Sequence, residues 1–158
     1  MGEHAKPPKR PSTNSPNFNP IQTTLQPRRD GPALRVLLAD DYEAVRVGLC
    51  AMLKSVDIDV CAQAESGEEA VEKSIQLRPD LVILDISMPG IGGVEAARQI
   101  RVFLPDVPIL FFTTHNTPQL FALSQSVGAQ GFITKNETAV TLLKAVDALR
   151  NGKTFFNS

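Results

Sequence analysis

Residues 80–93 read DLVILDISMPGIGG, and the organisation of the chain follows from that stretch. Four consecutive apolar residues, Leu81, Val82, Ile83 and Leu84, stand between Asp80 and Asp85. A short continuous apolar run of this kind predicts a strand covered on both faces, as in the interior of a parallel sheet. The period then changes, and residues 92–103 carry helical spacing, with Pro105 after them. Outward in both directions the same couplet repeats. Strands are predicted at 34–39 (LRVLLA), 59–64 (DVCAQA), 80–85, 107–113 (VPILFFT) and 131–135 (GFITK), and helices near 42–55, 67–77, 92–103, 117–126 and 137–151. Ser66 before the second helix and Asn136 before the last read as caps, Asn116-Thr117-Pro118 as the turn into the fourth, and Gly152 as a stop. Five βα units in strict alternation give a doubly wound α/β domain, because right-handed crossovers place helices on both faces of the sheet.

The 158 residues divide unevenly. Seven of the twelve prolines lie in the first 33 residues among Asn, Ser, Thr and Gln, and this part carries Lys6, Lys9, Arg10, Arg28 and Arg29 against Glu3 and Asp30. Such a composition buries too little apolar surface to offset its ordering entropy, so residues 1–33 are expected to be a disordered, basic, Pro-rich extension. Residues 34–155 form the domain, and 156–158 are expected to be a tail. The overall charge of −1 excludes binding to nucleic acid or to an anionic membrane through bulk charge. No apolar run approaches the roughly 20 residues needed to cross a bilayer, and the start lacks a signal peptide, so a cytoplasmic location is expected. Cys50 and Cys61 are too few for a disulfide framework or a zinc site.

The polar residues at the strand ends carry the functional signal. The first strand ends in Asp40-Asp41, the third in Asp85, the fourth in Thr113-Thr114 and the fifth in Lys135. In a parallel sheet these ends share one edge, where ligands of open α/β folds bind. Three carboxylates gathered there repel one another unless a cation lies between them. An all-oxygen set with few protein ligands suits Mg²⁺, which keeps several waters and recruits phosphate oxygens. Lys135 adds a compact positive charge and Thr113 a hydroxyl, so the set reads as a phosphoryl site. Singly, each residue has an ordinary explanation as turn former, strand residue or solvated charge. Four matched strand ends do not.

The motifs VLLADD, LVILDISMPGIGG, ILFFTTH and GAQGFITK, in that order, resemble the receiver domain of two-component response regulators, most of all the NarL type. The resemblance covers residue 34 to about 155. It implies a flavodoxin-like (βα)5 fold with a five-stranded parallel sheet of order 2-1-3-4-5. It also implies that Asp85 is the phosphoacceptor, that Asp41 binds Mg²⁺ directly and Asp40 through water, and that the backbone carbonyl of Ser87 completes the metal ligands. By the same resemblance Thr113 is the switch hydroxyl, Phe132 the switch aromatic, and Lys135 the partner of the phosphoryl group. Ser87 and His115 occupy the positions that tune dephosphorylation. The chain would catalyse only its own phosphorylation and dephosphorylation, and its output face would be the fourth helix, fifth strand and fifth helix, a face that also serves homodimers. Asn136 stands where many receivers have proline, and no helix-turn-helix follows before Ser158. A stand-alone receiver and a piece of a longer transcription regulator both remain open, and direct nucleic-acid binding by this chain is not expected.

Two other classes compete with this reading. A haloacid dehalogenase-type phosphatase also places Asp after a strand, but it needs a second Asp two residues on, where this chain has Ser87. A phosphorylation-independent, receiver-like interaction module stays open as the alternative, with the intact acidic pocket arguing against it. The expected partner is a histidine kinase or phosphotransfer protein, docked on the first helix. There Val45, Leu49, Met52 and Leu53 form a core stripe, while Ala44, Val47, Gly48 and Ala51 make a second apolar face flanked only by Glu43, Arg46 and Lys54.

Overall fold

The computed structural model describes residues 31–157. The Pro-rich extension read over 1–33 therefore lies outside the described residues up to Asp30. From there the elements run β1 (Arg35–Ala39), α1 (Glu43–Ser55), β2 (Asp59–Ala64), α2 (Gly67–Leu77), β3 (Leu81–Leu84), α3 (Gly92–Phe103), β4 (Ile109–Thr113), α4 (Pro118–Ser126), β5 (Gly131–Thr134), α5 (Ala139–Arg150) and β6 (Phe155–Phe156). All strand pairs are parallel and the order is β2-β1-β3-β4-β5-β6. The expected five strands and their order are present, and a sixth short strand extends the sheet.

That sixth strand corrects the reading of a tail at 156–158. After α5 the chain turns at Gly152, whose φ of 75° is in the left-handed region that favours glycine. Phe155 and Phe156 then pair with Gly131 and Phe132 of β5, and the Asn157 N–H donates to the Phe132 carbonyl at 3.0 Å. Two residues are too few to show a period in sequence, and the strand forms because β5 would otherwise present an unpaired edge.

Alternate residues of the strands face opposite layers. Val36, Leu38, Ile83, Leu110 and Ile133 meet Leu49 and Leu53 of α1 and Leu142, Val146 and Leu149 of α5. Leu37, Ala39, Val82, Leu84, Phe111 and Phe132 meet Ala70 and Val71 of α2, Ala96, Ala97 and Ile100 of α3, and Phe121 of α4. β3 is buried along its whole length, as its apolar run requires. Side-chain caps open α2 and α4: Ser66 accepts from the Glu69 N–H and Thr117 from the Leu120 N–H, both at 3.2 Å. The expected cap Asn136 is exposed instead, and Thr138 caps α5 by accepting from the Thr141 N–H at 3.3 Å. The reason is local: the Glu137 N–H closes a turn onto the Thr134 carbonyl, which delays the helix. No cis peptide occurs among the described residues. At Gly93 an added Cβ would overlap the carbonyl of Asp85, so the start of α3 packs against the end of β3 as only glycine allows.

Candidate functional site

Hydrogen bonds at the strand ends place two of the acidic residues and Lys135. The Asp85 N–H donates to the Ala39 carbonyl at 2.9 Å, the Asp40 N–H to the Ala64 carbonyl at 3.0 Å, and the Lys135 N–H to the Thr113 carbonyl at 2.8 Å. The ladder of the sheet thus carries straight into the site. Asp40 and Asp85 are buried, at 1% and 3% exposure, whereas Asp41 is exposed. One carboxylate oxygen from each of the three lies within 4.8 Å of the others.

Lys135 Nζ neutralises part of this charge, at 3.0 Å from Asp85 Oδ2 and 2.5 Å from Asp40 Oδ2. The contact with Asp85 has hydrogen-bond geometry. The contact with Asp40 is the shorter of the two, and among the described residues this ammonium is the one partner of the buried Asp40 Oδ2. Asp40 Oδ1 accepts from the Tyr42 N–H at 2.9 Å, and Asp85 Oδ1 from the Ser87 N–H at 3.3 Å. Burial pushes the Asp85 carboxyl above its ordinary pKa; Lys135 pulls it part of the way back and Asp40 pushes it up again. Burial alone would lower Lys135, but its contacts with Asp40 and Asp85 outweigh that and hold the ammonium above its usual value. One lysine therefore does not balance the three carboxylates. Three carboxylates in an all-oxygen set with an exposed side fit a hard divalent cation that keeps several waters.

The other expected residues surround this cluster without all joining it. Thr113 is fully buried at the end of β4, and its Oγ1 accepts from the His115 N–H at 3.3 Å. Ser87 and His115 are exposed at the rim. Phe132 is fully buried away from the carboxylates, edge-on to Phe121 of α4 at 5.5 Å, and Phe121 in turn is edge-on to Phe156 at 5.6 Å. Ala44, Val47, Gly48 and Ala51 are exposed on α1. Ala44 and Gly48 line a groove of about 310 Å³ between α1 and α5, which also touches Phe112, Lys135 and Leu142, while Val47 stands clear of it. A second cavity, of about 370 Å³, lies at the opposite edge of the sheet among Asp80, Phe103 and Asp106, remote from this chemistry.

By sequence Arg46 is a charge flanking the outer face of α1. It is instead 6% exposed and reaches the site, with one guanidinium nitrogen 2.6 Å from the Asp40 carbonyl oxygen and another 2.8 Å from Glu65 Oε1. Its place at i−3 from Leu49 on the buried stripe was the available signal; arginine's charge obscured it.

Comparison with known proteins agrees with this geometry. Residues 36–147 match the family model described as the response regulator receiver domain. The chain is 38% identical to the transcriptional regulatory protein LnrK of Bacillus subtilis over 75% of its own length and 54% of LnrK. It is 36% identical to the response regulator UvrY of Escherichia coli over 79% of its length and 58% of UvrY. The chain thus spans little more than half of each of these relatives. Among solved structures, a LuxR-family two-component response regulator from Aurantimonas superposes with a TM-score of 0.75 at 31% identity, covering 78% of this chain and 89% of that one. The isolated receiver domain of RcsB from Salmonella enterica, with a phosphomimetic beryllofluoride, gives 0.74 at 25% identity, covering 80% and 94%. The chain belongs to the response regulator receiver family.

Proposed function

We propose that this receiver is switched by phosphorylation of Asp85. The observation that carries the reading is the buried Asp85 carboxylate with the Lys135 ammonium at 3.0 Å and the oxygens of Asp40 and Asp41 beside it. An Asp85 carboxylate oxygen attacks the phosphorus of a donor phosphohistidine; an O–P bond forms, the N–P bond breaks, and the departing imidazole takes a proton. Lys135 stabilises charge on the phosphoryl oxygens as the group moves. Asp41, Asp85 and the Ser87 carbonyl would hold Mg²⁺ directly and Asp40 through water. When bound, the ion supplies positive charge to the phosphoryl oxygens. The domain needs no other catalyst, and later hydrolysis of the acyl phosphate restores it, at a rate set by Ser87 and His115 at the pocket rim.

The acyl phosphate adds roughly −1.5 to −2 charge. Thr113 Oγ1 turns toward its oxygens, and Phe132 takes the space released under α4. The face of α4, β5 and α5, altered on its α4 side, then presents or withholds a contact, including one with a second copy of the chain. Two relatives are named as a transcriptional regulatory protein and a response regulator, and we assign this receiver the same service in the cytoplasm, with DNA contact left to a separate output domain.

Among the described residues no helix is long and apolar enough to cross a membrane. The phosphoryl donor is a histidine kinase or phosphotransfer protein seated on α1, where Val47 is 61% exposed. Val47→Glu is expected to slow phosphotransfer from the kinase and leave labelling by acetyl phosphate unchanged. Intact mass after acetyl phosphate and Mg²⁺ should show one phosphoryl adduct on the wild type and none on Asp85→Asn; an equal adduct on both would remove the assignment. Lys135→Ala should retain Mg²⁺ binding while losing the phosphorylated conformation.

A further inference from the structure

Arg46 belongs to α1 but works on the loop before it. Its guanidinium spans three acceptors: the Asp40 backbone carbonyl at 2.6 Å, Glu65 Oε1 at 2.8 Å and, through Nε, Gln63 Oε1 at 3.3 Å. The three acceptors come from the ends of β1 and β2 and the loop after β2, so one side chain ties α1 to two neighbouring strand ends. A buried arginine with a single, largely exposed carboxylate partner is costly as a simple salt bridge. Its strongest geometry is toward an uncharged atom, the Asp40 oxygen.

That oxygen belongs to the peptide joining Asp40 to Asp41. Asp40 is held in addition by the Tyr42 N–H and the Lys135 ion pair. The Asp41 carboxylate is exposed, and no hydrogen bond or ion pair holds it among the described residues. The position from which the Asp41 side chain reaches out is therefore set by its backbone, and the peptide before it is the one that Arg46 grips. We infer that Arg46 is a positioning residue for the metal site: it fixes the Asp40–Asp41 peptide so that the free Asp41 carboxylate is directed at the cation. This rests on the reading of Asp40, Asp41 and Asp85 as a Mg²⁺ site.

The sign of one effect separates positioning from charge. Arg46 is a cation near an acidic cluster, so if it acted only through its field, removing it would tighten Mg²⁺ binding. If it positions Asp41, removing it weakens binding, as loss of partners that orient metal ligands does by about 10–100-fold. Tyr42 is the only tyrosine, there is no tryptophan, and its ring centroid lies 6.0 Å from Lys135 Nζ, so its fluorescence reports the site.

The experiment titrates Mg²⁺ alone into the wild type, Arg46→Met, Arg46→Lys and Glu65→Gln, each checked for folding by thermal melting. Arg46→Met is expected to raise the Kd about tenfold. Arg46→Lys keeps the charge but replaces the fork with a point donor, and is expected to raise it about threefold. Glu65→Gln breaks the ion pair and leaves the Asp40 contact, so the Kd should stay within about twofold. If Arg46→Met does not fold, Arg46→Lys decides alone. Tighter or unchanged binding in the arginine variants, or a Glu65→Gln loss as large as theirs, overturns the inference while the Mg²⁺ site stands. A wild type that gives no response to Mg²⁺ by fluorescence or by amide shifts overturns both.

Discussion

α4 and α5 flank the same strand and are held to it in opposite ways. α5 buries Leu142, Ala145, Val146 and Leu149, spaced i, i+3, i+4 and i+7, so one continuous stripe faces the core. α4 is nine residues long and its one buried residue is Ser124, whose hydroxyl bonds back to the Phe121 carbonyl at 2.7 Å. Its apolar residues Leu120, Phe121 and Leu123 are only half-buried. What fastens α4 is the ring of Phe121, wedged between Phe132 of β5 and Phe156 of β6. The contrast shows which side of β5 has room to respond: α5 is part of the core, whereas α4 rests on a stack of aromatic edges that includes the residue assigned to the switch. Elements that move are drawn from the weakly packed end of a structure.

The widest gap between the two helices should appear in the core. Leu142→Ala in α5 is expected to cost about 2–5 kcal/mol in chemical denaturation, as truncation of a buried leucine does. Leu123→Ala in α4 should cost less than about 1 kcal/mol, in the range of substitutions away from the core. Equal losses would end the comparison. Phe121→Ala comes next, at about 1–3 kcal/mol, because two edge-to-face contacts of about 0.5–1.5 kcal/mol each disappear with it. Its sharper signature is dynamic, since amide exchange should speed up in α4 and not in α5. The smallest effect concerns the caps. Thr117→Ala and Thr138→Ala each remove one cap hydrogen bond, at about 1 kcal/mol. In α4 that loss should fray the whole helix in exchange measurements, whereas in α5 it should stop at the first turn, where Leu142 is fixed in the core.

The strand ends were legible because each candidate site residue follows an apolar run that reads as a buried strand. Asp40, Asp85, Thr113 and Lys135 could be put on one edge without coordinates for that reason. β6 was not legible, since Phe155 and Phe156 are too few to alternate and pair only because β5 offers an edge. Asn136 misled because a good capping residue was overruled by a turn that depends on Glu137 meeting Thr134. Arg46 misled for the opposite reason: a charged residue was taken for surface, and only the fold shows that the ends of β1 and β2 present it with a carbonyl and two side-chain oxygens. The weak anchorage of α4 was also hidden, because half-buried leucines have the same spacing as buried ones.

The direct test is peptide-resolved hydrogen exchange on the protein with and without beryllofluoride and Mg²⁺, in the wild type and in Asp85→Asn. The account predicts that protection changes in the wild type across the end of β4 and through α4, residues 113–126, while residues 142–149 of α5 keep theirs, and that Asp85→Asn shows neither change. Equal changes in both helices, or the same response in Asp85→Asn, would contradict a switch thrown at Asp85 and read through α4.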